Sequence, residues 1–294
     1  MLTLRSRPEA IRRDITWVHR DGLRLALHRW GPRQPRAAVF YFHGLQSHAG
    51  WLWEAGVRHA EHGIAFYVLD RRGCGISDGE RGAIPDADTV LGDYVAALAQ
   101  VRDAIGERLP LGLFGHCLGG SFLAALLLHH PARTVRHDSV VFCSAPLGRL
   151  HATLNEAQRD ALSRYRDDEV WAPGLRSEDF SACARYQEFI DGDDLAVRTL
   201  TRRSRAVLLD LERIYLGREG GPRVHVPAAY VSGHRDPVVD LEHSRSVFRG
   251  LVGESGRCVQ FATDKHYVYF TEVRDDLIAW SSSFVAGAEG AGHA

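Results

Sequence analysis

Leu113-Phe114-Gly115-His116-Cys117-Leu118-Gly119-Gly120-Ser121 decides how the rest of the chain is read. An apolar strand pattern, Leu111 to Phe114, runs into it, and an apolar helical pattern, Ser121 to Leu128, runs out of it. Between them lies G-x-C-x-G, the pattern of a nucleophile elbow with Cys in place of Ser. Such a nucleophile sits on a strained turn, and Gly115 and Gly119 let neighbouring backbone pass where a Cβ would clash. A thiol at a helix N-terminus meets free N–H groups and the positive end of the helix dipole, which favour the thiolate. The bland reading of Cys117 is a small buried cysteine beside a Gly-rich turn. The catalytic reading makes it the candidate nucleophile, and the neighbouring segments choose between the two.

Working outward, strands and helices alternate. Ile15 to His19 and Leu23 to Trp30 alternate in strand fashion around the hairpin signal Asp21-Gly22. Continuous apolar runs at Ala37 to Phe42, Ile64 to Leu69, Leu111 to Phe114, Ser139 to Cys143 and Ala228 to Val231 read as buried strands, and Cys258 to Ala262 as the last. Helical patterns fall at Trp51 to His62, Val90 to Ile105, Ser121 to Leu128, Asp240 to Gly250 and Glu272 to Phe284. Eight strands alternating with helices predict an α/β fold whose mostly parallel eight-stranded sheet is flanked by helices. The alternation breaks between about Leu147 and Arg223. There Ala152 to Tyr165, Glu178 to Phe189 and Leu195 to Tyr215 read as helices, no strand is evident, and Gly220-Gly221-Pro222 closes the segment as a loop. The expected division is a core of residues 1–146 and 223–285, a helical cap (lid) over 147–222, and a flexible tail over 286–294.

Two further segments supply partners for Cys117. Val231-Ser232-Gly233-His234-Arg235-Asp236-Pro237-Val238 follows a strand and places Asp236 in a turn as an orienting acid. Asp264-Lys265-His266-Tyr267 follows the last strand and offers His266 as the base. Asp in a turn and His in a loop are each commonplace. Nucleophile, acid and His in this order, each after a strand, make the α/β-hydrolase order, which differs from the two serine-protease orders. His43-Gly44-Leu45, after the strand ending at Phe42, adds a turn whose Leu45 N–H can pair with that of Leu118 as an oxyanion hole. Such a donor is worth about 3 kcal/mol to a transition state. His43 is assigned to shaping this turn and, with it, the pocket. Trp51 and Trp53 wall the pocket or cover the sheet; Trp171, Tyr186 and Phe189 face an acyl group or pack among the cap helices.

With these pieces in place the chain resembles the α/β-hydrolase superfamily, and within it the monoacylglycerol lipase and lysophospholipase-like group. The resemblance rests on HGLQSH (43–48), LDRRGCGISDGERG (69–82), GHCLGG (115–120), SGHRDPVV (232–239) and the cap segment RYQEFIDGDDLAVRTLT (185–201). It implies an α/β-hydrolase fold with a helical cap, the triad Cys117, Asp236 and His266, oxyanion donors Leu45 and Leu118, a lid forming the acyl pocket, and neither metal nor organic cofactor. Cys117 stands where the group has Ser, and Lys265 where it often has a small residue.

A cysteine nucleophile forms a thioester with the acyl group, and that acyl-enzyme can pass to water or to another acceptor. The expected function is therefore cleavage or transfer of an acyl group from an ester or thioester, with a small-molecule or carrier-bound acyl substrate. Acyl transfer, condensation or acyl elimination on the same fold is the first alternative, and a catalytically silent ligand receptor the second. A net charge of −1 gives no support for nucleic-acid binding. The cysteines Cys74, Cys117, Cys143, Cys183 and Cys258 show neither a disulfide framework nor zinc spacing, so a cytoplasmic setting is expected. No secretory signal or stable membrane insertion is expected, and a homodimer is left open.

Overall fold

The computed structural model describes residues 11, 13–129, 135–151, 154–164, 168–217 and 224–287. Its main sheet contains β1 (Arg13–Arg20), β2 (Leu23–Trp30), β3 (Ala37–Phe42), β4 (Ile64–Leu69), β5 (Leu111–His116), β6 (Ser139–Cys143), β9 (Ala228–Gly233) and β10 (Arg257–Phe261). They lie in the order β1-β2-β4-β3-β5-β6-β9-β10. β1 with β2 and β2 with β4 are antiparallel, and every other pairing is parallel. β3, β4, β5 and β6 are buried at every residue, which explains why they read as unbroken apolar runs. Asp21 and Gly22 both take positive φ, 51° and 76°, as the tight β1–β2 hairpin needs.

The connecting helices are α1 (Trp53–Glu61), α2 (Ala87–Ile105), α3 (Leu118–Leu128), α8 (Leu241–Val252) and α9 (Arg274–Val285). Phe40, Phe42, Tyr94 and Phe122 belong to the core on one face, while Tyr41, Phe66, Phe114 and Tyr269 belong to the other. α1 starts later than the sequence pattern predicts, because Ala49–Leu52 forms a 3-10 turn first, capped by His48 Nδ1 accepting from Gly50 N. This is an α/β-hydrolase fold.

Between β6 and β9 the chain forms α4 (Glu156–Arg164), β7 (Val170–Trp171), α5 (Ser177–Phe180), α6 (Ala184–Asp191), β8 (Leu200–Thr201) and α7 (Arg202–Leu216). Three expectations are corrected here. The helix expected over Glu178 to Phe189 is two short helices, because Ser181 turns extended and its hydroxyl donates to Phe270 O at 2.6 Å. The helix expected from Leu195 begins at Arg202, where Thr201 Oγ1 caps it by accepting from Ser204 N. β7 and β8 form a two-residue antiparallel pair where no strand was expected. The Gly220-Gly221-Pro222 loop, the tail beyond 287 and both ends of the helix expected over Ala152 to Tyr165 fall wholly or partly outside the described residues.

Candidate active site

The carboxyl ends of adjacent parallel strands bring the site together, the edge at which α/β sheets bind ligands. Cys117 follows β5 directly and precedes α3. Its φ of 52° and ψ of −130° lie in a region a Cβ-bearing residue rarely enters. The turn is held from both sides, Cys117 N donating to Cys143 O and Gly120 N to Cys117 O, each at 2.9 Å. The flanking glycines are steric requirements. A Cβ on Gly119 would stand 2.0 Å from Phe42 O, and one on Gly115 2.7 Å from Gly120 Cα. α3 therefore packs closely enough on β3 and β5 to aim Cys117 outward from the sheet end.

His266 lies in the loop after β10 and Asp236 in the turn after β9; both side chains are fully buried. His266 Nδ1 bonds Asp236 Oδ2 at 2.9 Å and Oδ1 at 3.1 Å. Asp236 Oδ1 also accepts from Val238 N and Val239 N, at 2.9 and 3.0 Å. Burial disfavours the charged imidazolium, but the Asp236 carboxylate, and after it Cys117, outweigh burial and hold the His266 pKa well above 6.5. Asp236 shifts downward: burial opposes its charge, and His266 and the two N–H donors overcome it. His266 Nε2 is buried without a hydrogen bond and is the ring atom left for Cys117. His116 stacks against His266 at 5.5 Å and stays neutral, its pKa lowered to about 3 by burial and then by His266.

The turn after β3 is gripped from below by Arg71. Its guanidinium donates to His43 O at 2.7 Å, Gly44 O at 2.9 Å and Leu45 O at 3.4 Å, and its backbone N–H to His43 Nε2 at 3.1 Å. Burial, and after it the Arg71 charge, hold His43 far below its ordinary pKa. With its carbonyls tied down on one side, the turn has its N–H groups free to face the other. Leu118 is the first residue of α3, where N–H groups lack an intrahelical acceptor. Arg71 is a site residue that the sequence reading missed.

A narrow slot opens over Cys117, lined by Gly44, Leu45, Gln46, Ser47, His116, Leu175, Phe180 and Tyr267. Its volume of about 10 Å³ admits one water-sized body. α5 forms its roof. His266 N donates to Asp179 O at 2.9 Å, Tyr267 N to Phe180 O at 3.2 Å, and the Phe180 ring meets the His266 ring edge-on at 5.5 Å.

The structure does not put the other expected pocket residues in this slot. His43 lies beneath the turn, bonded to Arg71. Trp51 is buried among Phe180, Phe189, Tyr267 and Phe270, and its Nε1 donates to Asp193 Oδ2 at 2.6 Å. Trp53 packs on Phe189, and Tyr186 stacks on Phe270 at 4.3 Å while its hydroxyl donates to Glu54. Trp171 lies under the Arg205 guanidinium at 4.0 Å. Trp51, Trp53 and Tyr186 thus pack among the rings of Phe180, Phe189 and Phe270, Trp171 packs with Arg205 and His151, and none of the four lines the slot over Cys117. The slot residues Gln46 and Ser47 were within reach of the sequence reading, as they follow Leu45 directly. Among the described residues no helix is long and apolar enough to cross a membrane, and no group of three His, Cys, Asp or Glu residues is arranged for a metal.

Comparison with known proteins agrees with this architecture. The chain is 36% identical over 169 residues to an uncharacterized abhydrolase domain-containing protein of Dictyostelium discoideum, covering 56% of this chain and 18% of that one. It is 30% identical over 167 residues to a monoacylglycerol lipase of Mycolicibacterium smegmatis, covering 51% of this chain and 59% of that one. The match thus spans less than two thirds of either curated relative. The crystal structure of a Paleococcus ferrophilus monoacylglycerol lipase superposes with a TM-score of 0.74 at 20% identity, covering 90% of this chain and 98% of that one. The family model described as "Serine aminopeptidase, S33" matches residues 33–271, and the chain belongs to that family within the α/β-hydrolase superfamily.

Proposed function

We propose that this chain is a cysteine-dependent acyl hydrolase that cleaves an ester or thioester through a Cys117 acyl-enzyme. One observation carries the reading: Cys117 holds a strained left-handed conformation at the strand–helix turn, facing the unbonded Nε2 of a buried His266 whose other nitrogen is fixed by Asp236. In the reaction the Cys117 sulfur attacks the acyl carbon with its proton already held by His266, and the carbonyl oxygen becomes an oxyanion between the N–H groups of Leu45 and Leu118. Collapse breaks the bond to the alcohol or thiol, which leaves with the proton from His266. A water, deprotonated by His266, then attacks the thioester; the tetrahedral adduct expels the Cys117 thiolate, which is reprotonated, and a carboxylic acid is released. Glycerol esters enter as candidate substrates through the monoacylglycerol lipase relatives.

Residues 147–222 serve as the lid in this reading. The slot is too small for an acyl chain, so α5 must move for substrate to enter. The same closure favours a second reading, transfer of the acyl group to an alcohol, amine or thiol, since a covered thioester is shielded from water. The test is steady-state hydrolysis of matched esters and thioesters by wild type, Cys117→Ala and His266→Ala. Both variants are expected to lose at least about a thousandfold in kcat with the fold intact by circular dichroism. Full activity in either variant would sink the assignment, and product that forms only with an added acceptor would favour transfer.

A further inference from the structure

The walls of the slot beside Cys117 carry polar groups that the proposed chemistry does not use. Ser47 Oγ, the Tyr267 hydroxyl and Gln46 Oε1 all line or flank it, are buried, and make no hydrogen bond. The hydroxyls of Tyr41 and Ser47 lie near that of Tyr267, close enough to act on its ionisation, yet none bonds another in good geometry. An unpaired buried polar group costs about 1–3 kcal/mol, and several gathered at one reactive atom mark a place where a ligand supplies the missing partner. The spacing is set by Gly44. A methyl group placed there would stand 3.3 Å from Ser47 Oγ and 3.6 Å from Cys117 Sγ. Ser47 Oγ and the sulfur therefore both stand against one point beside Gly44 that is itself too tight for a methyl group, which puts them within about 7 Å of each other.

Resting on the acyl-enzyme reading above, we propose that this recess is a polar acyl subsite for acyl groups with an oxygen on the β-carbon. An acyl carbon bonded to Sγ, followed by two more carbons, carries a β-oxygen within hydrogen-bonding reach of a hydroxyl at the Ser47 position. Ser47 and Tyr267 donate to a β-oxo group, and the Gln46 amide and either hydroxyl pair with a β-hydroxyl. A plain alkyl chain in the same place leaves all three groups dry and unpaired, so the site discriminates against it.

The experiment compares 3-hydroxybutanoyl and 3-methylbutanoyl thioesters of N-acetylcysteamine, which differ by hydroxyl against methyl, by kcat/KM and by intact mass of the Cys117 adduct. Wild type is expected to prefer the hydroxyl compound by about tenfold or more. Ser47→Ala and Tyr267→Phe are each expected to lower that ratio, and the double variant to bring it close to one. A wild-type ratio of one overturns the subsite while the acyl-enzyme stands. An unchanged ratio in variants that lose both substrates equally also overturns it, and assigns these groups to the oxyanion or to packing. No Cys117 adduct from either compound overturns the acyl-enzyme reading and the subsite with it.

Discussion

Arg71 is a buried guanidinium whose hydrogen bonds run to backbone carbonyls of the turn that ends in Leu45, with its ring-face contact on Phe122 at 5.0 Å. Burying a cation without a directly bonded carboxylate is costly, and here the carbonyl dipoles of residues 43–45 offset it. Those dipoles must then point at Arg71, which turns the opposite side of the peptide units toward Cys117. Arg71→Met is expected to lower kcat by about a hundredfold, the scale of one lost oxyanion donor, while KM moves little. A fall in stability with kcat per folded molecule unchanged would reduce Arg71 to a packing role. The pattern Asp70-Arg71-Arg72 does not tell which arginine turns inward. Arg72 pairs with Asp93 and Asp21, and only the fold shows that Arg71 meets a turn 26–28 residues away. Cys117 and Asp236 were legible because each stands just past a strand whose burial leaves an apolar run in the sequence, whereas His266 follows β10, an edge strand exposed or half-buried along its length, and was legible from its place in the chain order.

At the scale of elements, the sheet was legible and the segment over it was not. Strands buried on both faces must be apolar throughout, so β3 to β6 announce themselves locally. α5 and α6 are separated by contacts with the His266 loop, namely Ser181 to Phe270, Asp179 to His266 and Phe180 to Tyr267, which no local periodicity reports. The same contacts close the slot. α6 is tied to the core by a second set: Glu54 of α1 accepts from Tyr186, from Arg185 at 3.2 Å and from Arg274 of α9 at 2.6 Å. If α5 and α6 open together as a lid, weakening that cluster favours the open form. Glu54→Gln is expected to speed alkylation of Cys117 by iodoacetamide several-fold, a shift of about 1 kcal/mol in opening. Peptide mapping must separate Cys117 from Cys183 and Cys258, which are exposed in any case. An unchanged Cys117 rate would show that this cluster does not hold the lid.

For the whole molecule, the Asp236–His266 pair links the site to folding stability. His266 is raised in the folded state, so its contribution is complete below pH 6.5 and is lost as pH rises through the higher folded value. Asp236 is lowered, so its contribution is present above pH 3.8 and is lost as pH falls through the lower folded value. The two windows overlap between pH 3.8 and 6.5. The difference in thermal midpoint between wild type and His266→Gln is expected to be widest there and to narrow on the alkaline side. A difference that widens with rising pH would reverse the sign of the His266 shift and with it the electrostatics of the site.

Whether Cys117 carries the acyl group can be read by rapid-quench intact-mass spectrometry with acyl thioesters. The expected result is a transient mass increase equal to one acyl group, mapping to the peptide that contains Cys117, absent in Cys117→Ala and slowed in His266→Ala. Turnover of the same thioesters with no adduct on Cys117, or an adduct that persists in Cys117→Ala, would contradict it.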